Sequence, residues 1–194
     1  MRTTDRVRYL RSRFTGGDRA VIERGIFPAL QERSDLQRIL FVGVEWYTSK
    51  YPSRFDDREF WTLDIDPAVA RYGARGRHIV DSITHVDQYF EQSSLDVIIC
   101  FGVFGPWMDE PDEPNRTYSH FFELLRPGGL FILGWPDRED VTPVSPDAMP
   151  SLRRFEHFVL PPFTAWRYPT FGEWRMVLDF YRRPERRSQT GTGT

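Results

Sequence analysis

Residues 38–67 read RILFVGVEWYTSKYPSRFDDREFWTLDIDP. Ile39 to Val42 is apolar throughout and predicts a buried strand. Gly43 follows as a turn, and Phe60 to Ile65 predicts a second strand. Asp64 stands at the end of that second strand, 21 residues beyond Gly43. A strand, a glycine turn and an acid at the next strand's tip are the parts of a nucleoside-binding crossover. The glycine lets the backbone approach a ligand closely, and the carboxylate accepts hydrogen bonds from two ribose hydroxyls. Pro52 interrupts the connection, so no long regular helix is expected there.

Outward from this stretch the chain alternates strands and short helices. Upstream, residues 1–35 read as helices: Val7, Leu10 and Phe14 fall at near-helical spacing, and Gly16-Gly17 breaks the pattern. Asp18 then caps a second helix to about Leu30, with Val21, Ile22, Ile26 and Leu30 facing inward and Pro28 a point for a kink. Downstream, Asp66-Pro67 starts a short helix, a capping acid followed by proline at the first helical position. Arg77 to Val80 predicts strand three, closed by Asp81. Thr84 to Gln92 predicts a helix with Val86, Tyr89 and Phe90 as its buried stripe. Leu95 to Phe101 predicts strand four, and its apolar run from Val97 to Phe101 is what a parallel strand covered on both faces requires. Tyr118 to Leu125 predicts a helix ended by Pro127-Gly128-Gly129, and Leu130 to Gly134 predicts strand five. Arg154 to Leu160 and Arg175 to Tyr181 predict the last two strands, and residues 184–194 a disordered tail.

Composition excludes several classes. The 194 residues suit one domain with a sizeable core. A net charge of −2 provides no field that would recruit nucleic acid or an anionic membrane. Lys50 is the one lysine among 26 basic residues, which reads as coding bias rather than function. The single cysteine, Cys100, precludes a disulfide within the chain and suits a reducing cytoplasm. No signal-peptide core and no apolar run of membrane-spanning length is present. No histidine or cysteine pair has metal-ligand spacing, and the acidic run Asp109, Glu110, Asp112, Glu113 reads as a solvated loop.

With these elements placed, residues 36–183 resemble the class I S-adenosylmethionine-dependent methyltransferase fold. The resemblance rests on VGVEWYT after strand one, LDIDP after strand two, VDSIT after strand three, SLDVIICFGVF as strand four and LLRPGGLFILG leading into strand five. It implies a Rossmann-like, seven-stranded, mostly parallel sheet with a C-terminal antiparallel edge hairpin, and residues 1–35 as helices covering the site. It also implies S-adenosylmethionine as cofactor. Gly43 would sit under it, Glu45 would take its ammonium group, and Tyr47 would stand beside it. Asp64 would take the ribose hydroxyls, with Ile65 alongside. Asp81 would take the adenine amino group, with Ser82 beside the ring, and Phe101 and Gly102 would lie beneath the adenosine. Tyr9, Phe104, Trp107 and Met108 would shape a pocket for a flat, apolar small-molecule acceptor. His85 and His120 are the candidate bases. The family's first turn carries three alternating glycines, and here Glu45 and Tyr47 replace the second and third.

That departure leaves two readings open. Either Glu45 binds the cofactor, or Glu45-Trp46-Tyr47 fills the site and the fold no longer transfers methyl groups, serving instead as another pocket enzyme or a binding partner. Trp46 and Tyr47 pointing away from the pocket would favour the first reading. A nicotinamide-dependent oxidoreductase is disfavoured because Gly-x-Gly-x-x-Gly is absent. The aromatics Phe163, Trp166, Tyr168, Phe171 and Trp174 are read as exposed on the edge hairpin, where they would either cover substrate or pair two subunits into a homodimer.

Overall fold

In the computed structural model, residues 17–104, 112–172 and 174–185 are described. Helix α1 runs through Gly17–Val21, a widened π-type turn Ile22–Ile26, and Phe27–Gln31. The widened turn lies just ahead of Pro28, whose ring would otherwise strike the carbonyl one turn back. Strands β1 (Arg38–Val42), β2 (Glu59–Asp64), β3 (His78–Val80), β4 (Leu95–Phe101) and β5 (Leu125–Pro136) are parallel, in the order β3-β2-β1-β4-β5. Helix α2 (Glu113–Leu124) joins β4 to β5. Strand β8 (Met176–Arg182) pairs antiparallel with β5. Its other edge is occupied successively by β6 (Glu156–His157) and β7 (Arg167–Pro169), so two short segments fill the seventh position of the expected sheet.

Both faces of the sheet are buried, which is why its strands read as continuous apolar runs. Leu40, Val42, Ile98, Cys100, Phe131 and Leu133 pack on one face against Tyr118 and Phe121 of α2 and against Met149, Leu152 and Phe155. Ile39, Phe41, Val97, Ile99 and Ile132 pack on the other against Ile22, Ile26, Phe27 and Leu30 of α1 and against Tyr51 and Phe55. Each of these large side chains contributes about 2 kcal/mol by leaving water.

Several expectations need correction. The limits of β1, β2, β3 and β8 differ from those read in the sequence by one residue, but β5 begins five residues early at Leu125, the strand expected over Arg154 to Leu160 shrinks to Glu156–His157, and β7 forms within what reads as a connection. The segment after β3 is a 3-10 turn, Ile83–Gln88, rather than a helix to Gln92, and Tyr89 is exposed because the turn ends before it. The Arg-Pro-Gly-Gly run is not a turn ahead of β5. It forms a bulge within it, because Leu95 pairs with Leu125 but Val97 already pairs with Leu130. Arg126 explains the bulge: it bonds Asp96, whose other oxygen accepts the amides of Gln37 and Arg38 at 2.7 Å, so one arginine ties together the starts of β1, β4 and β5. Of the hairpin aromatics, Phe171 is exposed (96%), whereas Phe163, Trp166 and Tyr168 are half-buried and Trp174 is buried.

Candidate functional site

The carboxyl ends of β1, β2, β3 and β4 converge, as parallel strands must, and the candidate residues sit there. Gly43 has φ +93°, and a Cβ added to it would lie 2.8 Å from the carbonyl oxygen of Phe101. A side chain at position 43 is therefore opposed twice, by backbone conformation and by the neighbouring strand. Gly102, after β4, also has a positive φ, +69°.

Asp64 ends β2, and both carboxylate oxygens are oriented by backbone amides. Oδ2 accepts from Val44 at 2.8 Å and Oδ1 from Asp66 at 2.9 Å. Each oxygen has a second lone pair, so the carboxylate retains one acceptor position per oxygen, as a vicinal diol requires. Burial raises the Asp64 pKa above the usual carboxylate range, with the two amide hydrogen bonds opposing it. Ile65, next in sequence, is 66% exposed, an apolar side chain standing in solvent beside a half-buried acid.

Asp81 is more heavily engaged. Its Oδ1 accepts from the Ser82 amide at 2.6 Å and lies 3.0 Å from His85 Nδ1, while Oδ2 accepts from the Tyr89 hydroxyl at 2.7 Å. The Tyr89 hydrogen bond, more than that of His85, holds its pKa below the usual range. One acceptor position remains on Oδ2.

The departing first turn is now explicit. Val44 is buried, and Trp46–Thr48 forms a single 3-10 turn closed by Thr48, whose hydroxyl accepts from the Glu45 amide at 3.0 Å. Trp46 is 57% exposed and does not fill the site. Tyr47 is half-buried beneath Arg19 of α1, whose guanidinium lies 5.6 Å from the ring centroid. Burial first, and then the nearby Glu45 charge, push the Tyr47 pKa up, with Asp64 adding to it and Arg19 opposing it. Arg19, Glu45, Tyr47 and Asp64 thus share one neighbourhood. Arg19 also pairs with Glu23 at 3.0 Å, and Glu23 accepts from Tyr51 at 3.2 Å. The sequence reading missed Arg19, for which one arginine among many carries no signal.

Other candidates lie elsewhere. Phe104 is buried against Tyr118, with ring centroids 5.8 Å apart, and so belongs to the core rather than to an acceptor surface. Phe101 likewise packs on Phe41 beneath the site. His120 sits partway along α2, 3.3 Å from Asp87, in the seam between α2 and the Ile83–Gln88 turn. His85 is spoken for by Asp81 beyond β3. Tyr9, Trp107 and Met108 lie outside the described residues. Among the described residues no group of three or more His, Cys, Asp or Glu side chains could hold a metal ion, and no helix is long and apolar enough to cross a membrane.

No protein-family model and no curated protein matches the sequence. Solved structures match the fold along most of its length. The N-methyltransferase NodS from Bradyrhizobium japonicum, in complex with S-adenosyl-L-homocysteine, superposes with a TM-score of 0.64 at 14% identity, covering 86% of this chain and 87% of that one. A TehB-like S-adenosylmethionine-dependent methyltransferase from Corynebacterium glutamicum gives 0.61 at 15% identity, covering 94% and 100%. A methyltransferase from Methanosarcina mazei gives 0.54 at 12%, covering 81% and 98%. At these identities the likeness is one of fold: the chain has the class I S-adenosylmethionine-dependent methyltransferase fold.

Proposed function

We propose that the chain is an S-adenosylmethionine-dependent methyltransferase acting on a small molecule. The observation that carries this is the tip of β2, where Asp64 keeps one free acceptor position on each carboxylate oxygen and Ile65 stands in solvent beside it. A ribose diol and an adenine face need that pair. Asp64 takes the 2′ and 3′ hydroxyls, Ile65 covers one face of the base, and Asp81 receives the exocyclic amino group on Oδ2. Gly43 makes the turn under the ligand, a turn that its φ of +93° and the adjacent Phe101 carbonyl reserve for glycine. Glu45 takes the ammonium of the amino-acid end, and Arg19, over the Tyr47 ring, takes the carboxylate. The cofactor supplies a methyl group already activated on a sulfonium. The protein's task is then to align acceptor and methyl in line and to exclude water. His85 and His120 are engaged by Asp81 and Asp87, so an acceptor that is nucleophilic when neutral suits the site best.

Tyr47 supports a second reading, a methyltransferase-like protein that does not transfer methyl, because its half-buried ring takes room that the family leaves to the cofactor. Incubation with S-adenosylmethionine labelled on the methyl group and a panel of amines, phenols and carboxylic acids separates the two. Label transfer to at least one small molecule is expected; binding of the cofactor without transfer to any acceptor favours the second reading. The same proposal places the protein in the cytoplasm, with neither nucleic acid nor membrane as partner.

A further inference from the structure

The first turn of α1 is fastened at two separated places. Asp18 is buried, and its Oδ1 accepts from the hydroxyl of Thr170, the residue just after β7. The Thr170 hydroxyl also lies 2.8 Å from the Met176 carbonyl, which receives the Thr170 amide at 2.7 Å, and of the two acceptors for its one proton the charged carboxylate is the stronger. Gly172 closes over the same carboxylate: a Cβ there would lie 2.1 Å from Asp18 Oδ2, an oxygen without a hydrogen-bond partner among the described residues. The next residue, Arg19, reaches the other way, to Tyr47 beyond β1. In the sheet β4, β5 and β8 lie between β1 and β7, the strands that lead to the two attachments. A buried carboxylate with one unpaired oxygen costs stability, and a helix that needed only its apolar stripe for docking would carry an alanine there.

We infer that Asp18, locked by Thr170 and Gly172, is a positioning residue that fixes the first turn of α1 across the mouth and so holds the Arg19 guanidinium where the carboxylate of the amino-acid end is bound. This rests on the reading of the site given above. Asp18 touches no ligand and acts through Arg19. The cradle is specific in shape: a side chain at position 172 would overlap the Asp18 carboxylate, and Thr170 supplies the one donor.

Two ligands separate positioning from mere support of the fold. S-adenosylhomocysteine carries the amino-acid end; 5′-methylthioadenosine has the same adenosine and thioether but lacks it. Calorimetric dissociation constants for both are measured on the wild type and on Asp18→Ala, Thr170→Val, Thr170→Ser and Arg19→Ala, with circular dichroism confirming that each is folded. Asp18→Ala and Thr170→Val are expected to weaken S-adenosylhomocysteine about tenfold and leave methylthioadenosine unchanged. Thr170→Ser, which restores the hydroxyl, is expected to match the wild type. Adding Asp18→Ala to Arg19→Ala is expected to cost nothing further, because both act on one contact. Equal losses for the two ligands, additive losses in the double variant, or no loss at all overturn the positioning role while the site stands. A wild type that binds neither ligand overturns the site reading and the positioning role together.

Discussion

Asp179→Ala tests the most heavily hydrogen-bonded buried carboxylate among the described residues. Asp179 lies in the middle of β8, fully buried, and accepts four hydrogen bonds: Arg167 Nε at 2.7 Å, Arg167 Nη2 at 2.8 Å, Trp135 Nε1 at 3.0 Å and the Tyr181 hydroxyl at 3.3 Å. Alanine leaves the buried Trp135 N–H without a partner, which costs about 1–3 kcal/mol, and removes a bidentate charge-assisted pair worth about the same. Arg167 is not stranded, because Asp147 also grips it through two bonds of 2.8 Å. The expected loss is therefore about 4 kcal/mol, below what a fully orphaned buried charge would add. Asp147→Ala, on the solvent side of the same guanidinium, removes a carboxylate whose side chain is 57% exposed and is expected to cost only about 0.5–1 kcal/mol. Urea unfolding followed by tryptophan fluorescence measures both. With a slope of about 2 kcal/mol per molar urea, Asp179→Ala lowers the midpoint by about 2 M and Asp147→Ala by less than about 0.5 M. Equal shifts for the two variants would refute the claim that burial decides what each acid contributes.

Gly43→Ala is expected to lower stability by about 2 kcal/mol, from the left-handed backbone at φ +93° and the Phe101 carbonyl 2.8 Å from the new Cβ, and to weaken nucleoside binding with it. Thermal unfolding in the presence and absence of S-adenosylhomocysteine checks both effects. The raised pKa of Asp64 means that the folded protein takes up this proton at a higher pH than the unfolded chain does. A protonated Asp64 is a poorer acceptor for the ribose, so the dissociation constant should rise on acidification from above the usual carboxylate range. An Asp64→Asn variant should bind weakly with no such dependence. The Asp35 pKa is lowered to about 2, chiefly by the Arg33 hydrogen bond. Its contribution is therefore present above the ordinary carboxylate pKa and lost as pH falls toward 2. Asp35 is half exposed, so screening limits the effect to about 0.5 kcal/mol, seen as a slightly steeper acid unfolding curve than that of Asp35→Asn.

The parallel sheet was legible in the sequence because its strands are buried on both faces: a run such as Val97 to Phe101 has no other explanation in a chain of this size. The tip of β2 was legible for a related reason, since an acid at the end of an apolar strand followed by Asp66-Pro67 leaves few alternatives. The failures share a different cause. Tyr89 and Phe104 are both aromatic, and only the point at which a turn ends, or the seat that Tyr118 provides, decides that one is exposed and the other buried. The bulge at Arg126 to Gly129 depends on a bond to Asp96, 30 residues away, which no local pattern encodes. Asp18 looked like a helix cap and is instead a tertiary anchor reaching Thr170. Arg19 and Asp179 carry roles that arise from long-range approach, for which periodicity and spacing have no vocabulary.

The central claim, that the ends of β1, β2 and β3 form a live nucleoside site, is tested most directly by calorimetric titration of the purified protein with S-adenosylhomocysteine, repeated on Asp64→Ala. Micromolar binding by the wild type, with at least tenfold loss in the variant, is the predicted result. No heat of binding at millimolar ligand, or affinity indifferent to Asp64, would contradict it.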